Sequence, residues 1–296
     1  MVSNTGPLYI GKDPWYEEVN GVIDEVRVYN RALSTEEVQA LYQAKAKLNY
    51  GDIRFTDSDG VTELSYWMER DGRFWVKVPM IPAIGTKKIY LYYGNQNATS
   101  QSNGEATFIF FDDFVNLDKW PTTNGSISIT NGIATFTQGS YIANTNLDMR
   151  GLNGAGIEGL VKANGRLRGS FGAVSRYYFG RREMSDICCG FNHLWWWNGN
   201  WYAESSNSNG GSESNRGSYT TEWQRISLRW VQATSIWYYS YSNYRKFSYI
   251  PGMAESSPFY PYIGSYDTGT LSVDFIFIRK YVEPEPSVIT GDEETQ

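Results

Sequence analysis

Short runs of alternating or continuous apolar residues, separated by Gly, Asn, Ser and Pro, make up most of this chain. Lys88–Tyr93, Arg225–Trp230, Ser235–Tyr239 and Val273–Ile278 are examples. In an extended strand successive side chains point to opposite faces, so such runs predict antiparallel β-structure. Strands of this kind bury one face by packing sheet on sheet, and a β-sandwich is the expected architecture. One stretch has a different period. Ser34-Thr-Glu-Glu37 reads as a capping box, with Val38, Leu41 and Tyr42 at helical spacing, which predicts a helix over 35–46.

An internal echo divides the chain. Residues 8–29 contain Tyr9-Ile-Gly, a polar stretch and then Gly21-Val-Ile-Asp-Glu-Val-Arg-Val-Tyr29. Residues 261–281 repeat the plan, with Tyr262-Ile-Gly and then Leu271-Ser-Val-Asp-Phe-Ile-Phe-Ile278. The second copy closes a long β-rich region, whereas no such region precedes the first. Residues 1–46 therefore read as the tail end of a sandwich plus its helix, whose front lies outside this chain. Residues 47–104 read as a small β-module, residues 105–283 as the main sandwich and residues 284–296 as an acidic linker or frayed end. Strands of residues 1–30 without a parent sheet would expose edges, so self-association or docking to another domain is expected there.

Three of these segments carry family resemblances. Gly21-Val-Ile-Asp-Glu-Val-Arg-Val-Tyr-Asn-Arg-Ala-Leu-Ser34 resembles the end of laminin-G-like, concanavalin A-like sandwiches. Asp52-Ile-Arg-Phe-Thr-Asp-Ser-Asp-Gly60, Tyr66-Trp67, Trp75-Val-Lys-Val-Pro79 and Ile89–Asn95 resemble a domain of unknown function of prokaryotic surface and secreted proteins. Phe110-Phe-Asp-Asp-Phe114 with Trp120 resembles the opening of the concanavalin-like jelly roll that often follows that domain. These resemblances imply a polysaccharide or surface glycan as partner and an extracellular or cell-surface location.

Composition narrows the functional classes. The 296 residues are 41% hydrophobic and 20% charged, as in globular proteins. A net charge of −6 argues against nucleic acid, whose binders present basic surfaces to phosphates. No apolar run is long enough to span a bilayer as a helix, so membrane insertion is not expected. Cys188 and Cys189 are adjacent, which disfavours a disulfide between them, and a single His leaves no set of zinc ligands. Aromatics reach 16%, with 23 Tyr and 11 Trp, residues equally suited to half-buried strands and to ligand platforms.

The densest aromatic run is His193-Leu-Trp-Trp-Trp197, followed by Asn198-Gly199, Asn200, Trp201 and Tyr202. Asn-Gly is a hairpin turn signal, expected to bring Trp197 and Trp201 together across a ribbon. Trp195, Trp197, Trp201 and Tyr202, with Tyr178, Arg182 and Asn198 at the rim, are the candidate glycan contacts: flat rings stack on sugar C–H faces and the polar groups add directed hydrogen bonds. Core packing is the alternative for each ring. Asp112, Asp113 and Asp274 are a candidate structural calcium site if the first and last strands lie side by side; turn and cap hydrogen bonding is the alternative. Asp57-Ser-Asp-Gly60 resembles an EF-hand opening, but Met68 stands where the closing Glu belongs, so it reads as a turn.

Catalytic signals are weak. No strand carries the closely spaced carboxylates of a sandwich glycosidase; Glu158, Glu183, Asp186 and Glu204 stand singly. A lyase would have to use His193 with Arg182 and Tyr178. The expectation is therefore an all-β sandwich that binds carbohydrate without cleaving it. A glycoside hydrolase or lyase, and a surface or viral adhesin, are the alternatives.

Overall fold

The computed structural model describes residues 31–34, 50–69, 72–95, 97–152, 154–165, 169–175, 179, 191–197, 200–207, 210–218, 221–231, 236–241, 247–249 and 258–291; within 191–218 and 230–249, and at Ser175 and Phe259, it describes the backbone alone. The chain divides into two compact units, Met1–Gly51 and Asp52–Gln296. The strands expected before residue 30 and the body of the expected helix over 35–46 lie outside the described residues, as do Cys188 and Cys189.

The larger unit is an antiparallel β-sandwich joined to a small β-module. The module pairs β1 (Arg54–Thr56) with β4 (Tyr90–Tyr92), and β2 (Tyr66–Met68) with β3 (Phe74–Val76). Its interior is Ile53, Phe55, Leu64 and Tyr66, with Phe74 against the two rings, and Tyr66 Oη donates to the Ile53 carbonyl. Asp57–Gly60 is a turn, as expected: Gly60 N–H donates to Asp57 O, and the Asp59 carboxylate accepts from Val61 N, Thr62 N and Thr62 Oγ1. Those donors lower the Asp59 pKa to about 2.

A single helical turn, α1 (Gly104–Thr107), leads into the sandwich, with the Asn103 side chain accepting from Ala106 N–H as its cap. Among the described residues the first sheet has eight strands. Seven run in the order β17 (Phe247–Tyr249), β16 (Ile236–Tyr241), β15 (Gln224–Val231), β10 (Ala155–Asn164), β19 (Thr270–Lys280), β8 (Ile133–Phe136) and β7 (Ile127–Thr130); β5 (Phe110–Asp112) also pairs with β19. The second sheet runs β14 (Gly210–Ser218), β13 (Asn200–Asn207), β12 (Phe191–Trp197), β11 (Gly169–Ser175), β18 (Phe259–Ser265), β9 (Ser140–Ala143) and β6 (Thr122–Asn124).

Between the sheets lie Phe114, Trp120, Phe136, Ile142, Ile157, Val161, Phe171, Ile226, Leu228 and Ile263. Gly159 on β10 makes room for this packing. A Cβ there would stand 2.7 Å from Phe171 Cζ and 2.8 Å from the Phe275 carbonyl, closer than real contacts allow.

Strand β19 does not alternate cleanly. Leu271 and Val273 face the core, and so do Ile276 and Ile278. Opposite β10, Val273 pairs with Val161 but Phe275 with Leu160, so Asp274 is an extra residue in a β-bulge. The bulge turns Phe275 and Phe277 to the outer face of the first sheet. There they meet β2–β3: Trp67 and Trp75 stand opposite each other across that hairpin and pack on Phe108, Phe111, Phe275 and Phe277.

Candidate functional site

The outer face of the second sheet is aromatic where its side chains are described. Tyr141, Val174, Phe179, Tyr262 and Tyr266 form a cluster there, separate from the main core. The Tyr262 ring stacks on Tyr141 (5.6 Å, 25°) and on Phe179 (5.5 Å, 23°). Tyr266 Oη donates to Tyr262 Oη at 2.7 Å. Burial, and then the neighbouring Tyr262, push the Tyr266 phenol far above the ordinary tyrosine range, so it stays a neutral donor. Gly264 is needed beneath this stack, since a Cβ there would sit 2.8 Å from Tyr262 Oη. Tyr262 is itself fully buried, so the cluster is a second small core and not an open platform.

Next to this cluster lies the expected Trp-rich hairpin, β12–β13. In β11, Phe171 and Ala173 belong to the core, so positions 170, 172 and 174 are on the outer face. Ser170 is opposite Trp195, which is opposite Tyr202. Gly172 is opposite His193, which is opposite Glu204. Cross-strand partners share a face. Positions 193, 195, 197, 200, 202 and 204 therefore fall in the outer rows. Positions 196 and 201 fall in the rows of Phe171 and Ala173.

This register corrects one expectation. Trp197 pairs with Asn200, and Trp201 pairs with Trp196. A two-residue turn sets the residues immediately flanking it opposite each other, so Trp201 is in the row of Trp196 and not of Trp197. Trp195, Trp197 and Tyr202 remain together on one face and Trp201 leaves that set. Tyr178, Arg182 and Asn198 lie outside the described residues, so the rim expected from them, and the lyase trio with His193, do too.

The acidic candidates are placed differently from the expectation. First and last strands of the sandwich do run side by side, with Asp112 opposite Ile276. The carboxylates of Asp112, Asp113 and Asp274 do not converge: among the described residues no three His, Cys, Asp or Glu side chains are grouped to hold a metal ion. Asp112 is used locally instead. Its Oδ1 accepts from Phe114 N–H at 2.9 Å, at a residue whose φ is +54°, and its Oδ2 accepts from Trp120 Nε1. This is the turn and cap bonding weighed as the alternative.

Burial raises the Asp112 pKa, against the hydrogen bonds from Trp120 and Phe114 and the charge of Lys119. A raised folded-state pKa means the native state holds the proton more tightly than the unfolded chain. The contribution is full below the ordinary aspartate pKa and is lost as pH rises through the folded value. Compared with an Asp112→Asn variant, the native chain is expected to lose stability as pH rises from below the ordinary aspartate pKa towards neutrality, measured by urea unfolding at both ends. A constant difference would exclude this group as the source.

Local sequence pattern misses a long polar constellation on the outer face of the first sheet. Arg225 forms a bidentate pair with Glu69, and Trp75 Nε1 donates to the same carboxylate. Glu158, 2% exposed, accepts from Arg279 Nε at 2.7 Å and lies 3.5 Å from Arg225 Nε. Arg279 and Arg229 both reach Glu285, so the expected free acidic tail is tied down at that residue. The guanidinium groups of Arg225 and Arg279 stand 5.5 and 5.3 Å from the Trp75 ring centre. Every charge in this set has a partner, which is the behaviour of a structural network. A polar cleft of about 270 Å³ near β5, lined by Glu105, Lys119, Asn144 and Asn146 among others, is just below the ~300 Å³ at which small-molecule pockets begin.

Two family models match this chain. Residues 2–39 match the concanavalin A-like lectin/glucanases superfamily, and residues 49–124 match a domain of unknown function, DUF2341. The DUF2341 match runs over the module and α1 and continues through β5 and β6, one strand of each sandwich sheet. No curated protein sequence matches the chain. Among solved structures, a laminarinase from Flavobacterium sp. UMI-01 is similar at 11% identity, covering 58% of this chain and 100% of its own, with a TM-score of 0.45. The carbohydrate recognition domain of Emp46p, in a metal-free form, is similar at 10% identity, 58% and 92% coverage and a TM-score of 0.41. A protein of unknown function from Shewanella oneidensis MR-1 gives 13% identity, 57% and 80% coverage and a TM-score of 0.40. No helix among the described residues is long and apolar enough to cross a membrane.

Proposed function

We propose that this chain binds a polysaccharide or surface glycan, without cleaving it, through the outer face of the second sheet, outside the cytoplasm. The observation that carries the reading is the row in which Trp195 is opposite Tyr202, with Trp197 and Asn200 in the next row of the same face. Two indoles and a phenol spaced along adjacent strands offer flat apolar area at low conformational cost, and sugars present C–H faces of matching size. His193 and Glu204, opposite each other on that face, add hydrogen-bonding groups at its margin. The superfamily matched by residues 2–39 is described by lectins and glucanases, which agrees with a glycan partner for a chain of this kind.

The test is retention on a panel of insoluble and immobilised polysaccharides, with supernatants assayed for released sugars. Retention without release is expected on at least one of them. Trp195→Ala and Tyr202→Ala are each expected to weaken it at least about tenfold, near 1.4 kcal/mol, without moving the unfolding midpoint. Released product would overturn the non-catalytic reading and turn attention to His193 and Glu204. Absence of retention throughout would overturn the glycan reading.

A further inference from the structure

We infer that the small β-module, residues 52–104, is a built-in cover for the outer face of the first sheet and folds only together with the sandwich it covers.

The sandwich is not self-sufficient on that side. Phe275, Phe277, Phe108 and Phe111 are 5%, 0%, 8% and 6% exposed with the module in place. Their rings stack on one another, with Phe108 and Phe277 4.0 Å apart and nearly parallel. Phe275 and Phe277 turn outward because the Asp274 bulge reverses the facing of β19, and Phe111 of β5, opposite Phe277, shares their face. A phenylalanine buries roughly 150–250 Å², so four uncovered rings would make a patch of several hundred Å², large for a monomer surface. Trp67 and Trp75 fill the same face of the β2–β3 hairpin, while Tyr66, next to Trp67 and on the other face, goes to the module's own small interior.

The polar contacts run the same way. Glu69 is 5% exposed, and its partners are Trp75 within the module and Arg225 in the sandwich. Without Arg225 it would be a buried uncompensated carboxylate. From it the charges alternate through Arg225, Glu158, Arg279, Glu285 and Arg229 across the sheet. The module's own interior is a handful of residues, far below what an independent domain of this length needs. The reach of the DUF2341 match from the module into β5 and β6 fits the same conclusion, since module and sandwich strands are then one sequence unit. A glycan is thereby excluded from the covered part of the first sheet's outer face. The inference does not depend on the glycan reading.

Hydrogen exchange on the intact chain across a denaturant series tests it. Amides of 54–56, 66–68 and 74–76 are expected to exchange through the same opening, with the same denaturant slope, as those of 271–279. Trp75→Ala is expected to speed both sets by one common factor, about 10- to 100-fold. If that variant does not fold, Trp75→Phe gives the same comparison with a smaller factor. A module that opens on its own slope, or a substitution whose effect stops at residue 104, would overturn the inference.

Discussion

Alanine in place of Phe277 is expected to lower the free energy of unfolding of the larger unit by about 3–5 kcal/mol. This ring is fully buried and touches both sides of the seam between module and sheet. It stacks on Phe108 at 4.0 Å, meets the edges of Trp75 at 5.0 Å and Trp67 at 5.8 Å, and lies beside Phe275 at 5.9 Å. Truncation leaves a ring-sized void lined by aromatics, and such rigid groups collapse poorly into it. Lost transfer energy and lost dispersion contacts therefore add. Since a typical domain has about 5–15 kcal/mol in total, the loss should show as a large fall in the urea midpoint at unchanged slope. A loss below about 1 kcal/mol would mean that the seam is loosely packed.

Glu158→Ala should be comparably damaging, at about 3–5 kcal/mol, for a different reason. Glu158 is the shared counter-charge of Arg279 and Arg225, whose side chains are 15% and 23% exposed. Removing it leaves Arg225 with Glu69 alone and Arg279 with Glu285 alone, and the network with one positive charge in excess. Glu158→Gln keeps the shape and one acceptor, so it should cost less. A double-mutant cycle with Arg279→Met should show strong coupling, because the second change removes the excess positive charge that the first leaves. Additive losses would show that Glu158 acts through packing alone. Both effects should persist in high salt, since buried pairs are weakly screened.

How much of this was legible in the sequence varied with the range of the interaction. Alternating runs gave the strands, Asp57–Gly60 gave its turn, and the resemblance of Phe110–Phe114 to a sandwich opening agrees with β5 lying beside β19. The Asn198-Gly199 signal gave the hairpin over β12 and β13 but the wrong row for Trp201, because opposition across a turn depends on which residues flank it. Trp67 and Trp75 were visible only as family text. Two of their partners, Phe275 and Phe277, are some 200 residues away, and no local period reports that. Glu69 and Arg225 are 156 positions apart, so each reads singly as a surface charge. The extra residue at Asp274 was the least legible feature of all. A bulge shows only as an alternation out of phase, and in Val273-Asp-Phe-Ile-Phe-Ile278 the apolar residues on both faces hide the change. Read locally, Asp274 is only a carboxylate near the start of a strand; the structure makes it the extra residue at which the strand reverses its facing.

Strand β19 has one more consequence, for the order of events during synthesis. It pairs with β10 along one edge and with both β8 and β5 along the other. Until Thr270–Lys280 has left the ribosome, those three strands have no common partner and the first sheet is split down its middle. At about 5–20 residues per second, a chain that has just completed β5 waits roughly 8–30 s for the strand that joins the halves. Pairings this distant also make for slow closure once all the parts are present. Through that interval the unpaired edges and the outward phenylalanines of β5 and α1's flank stand open to neighbouring nascent chains, so association between chains competes with closure of the sheet until that one late strand arrives.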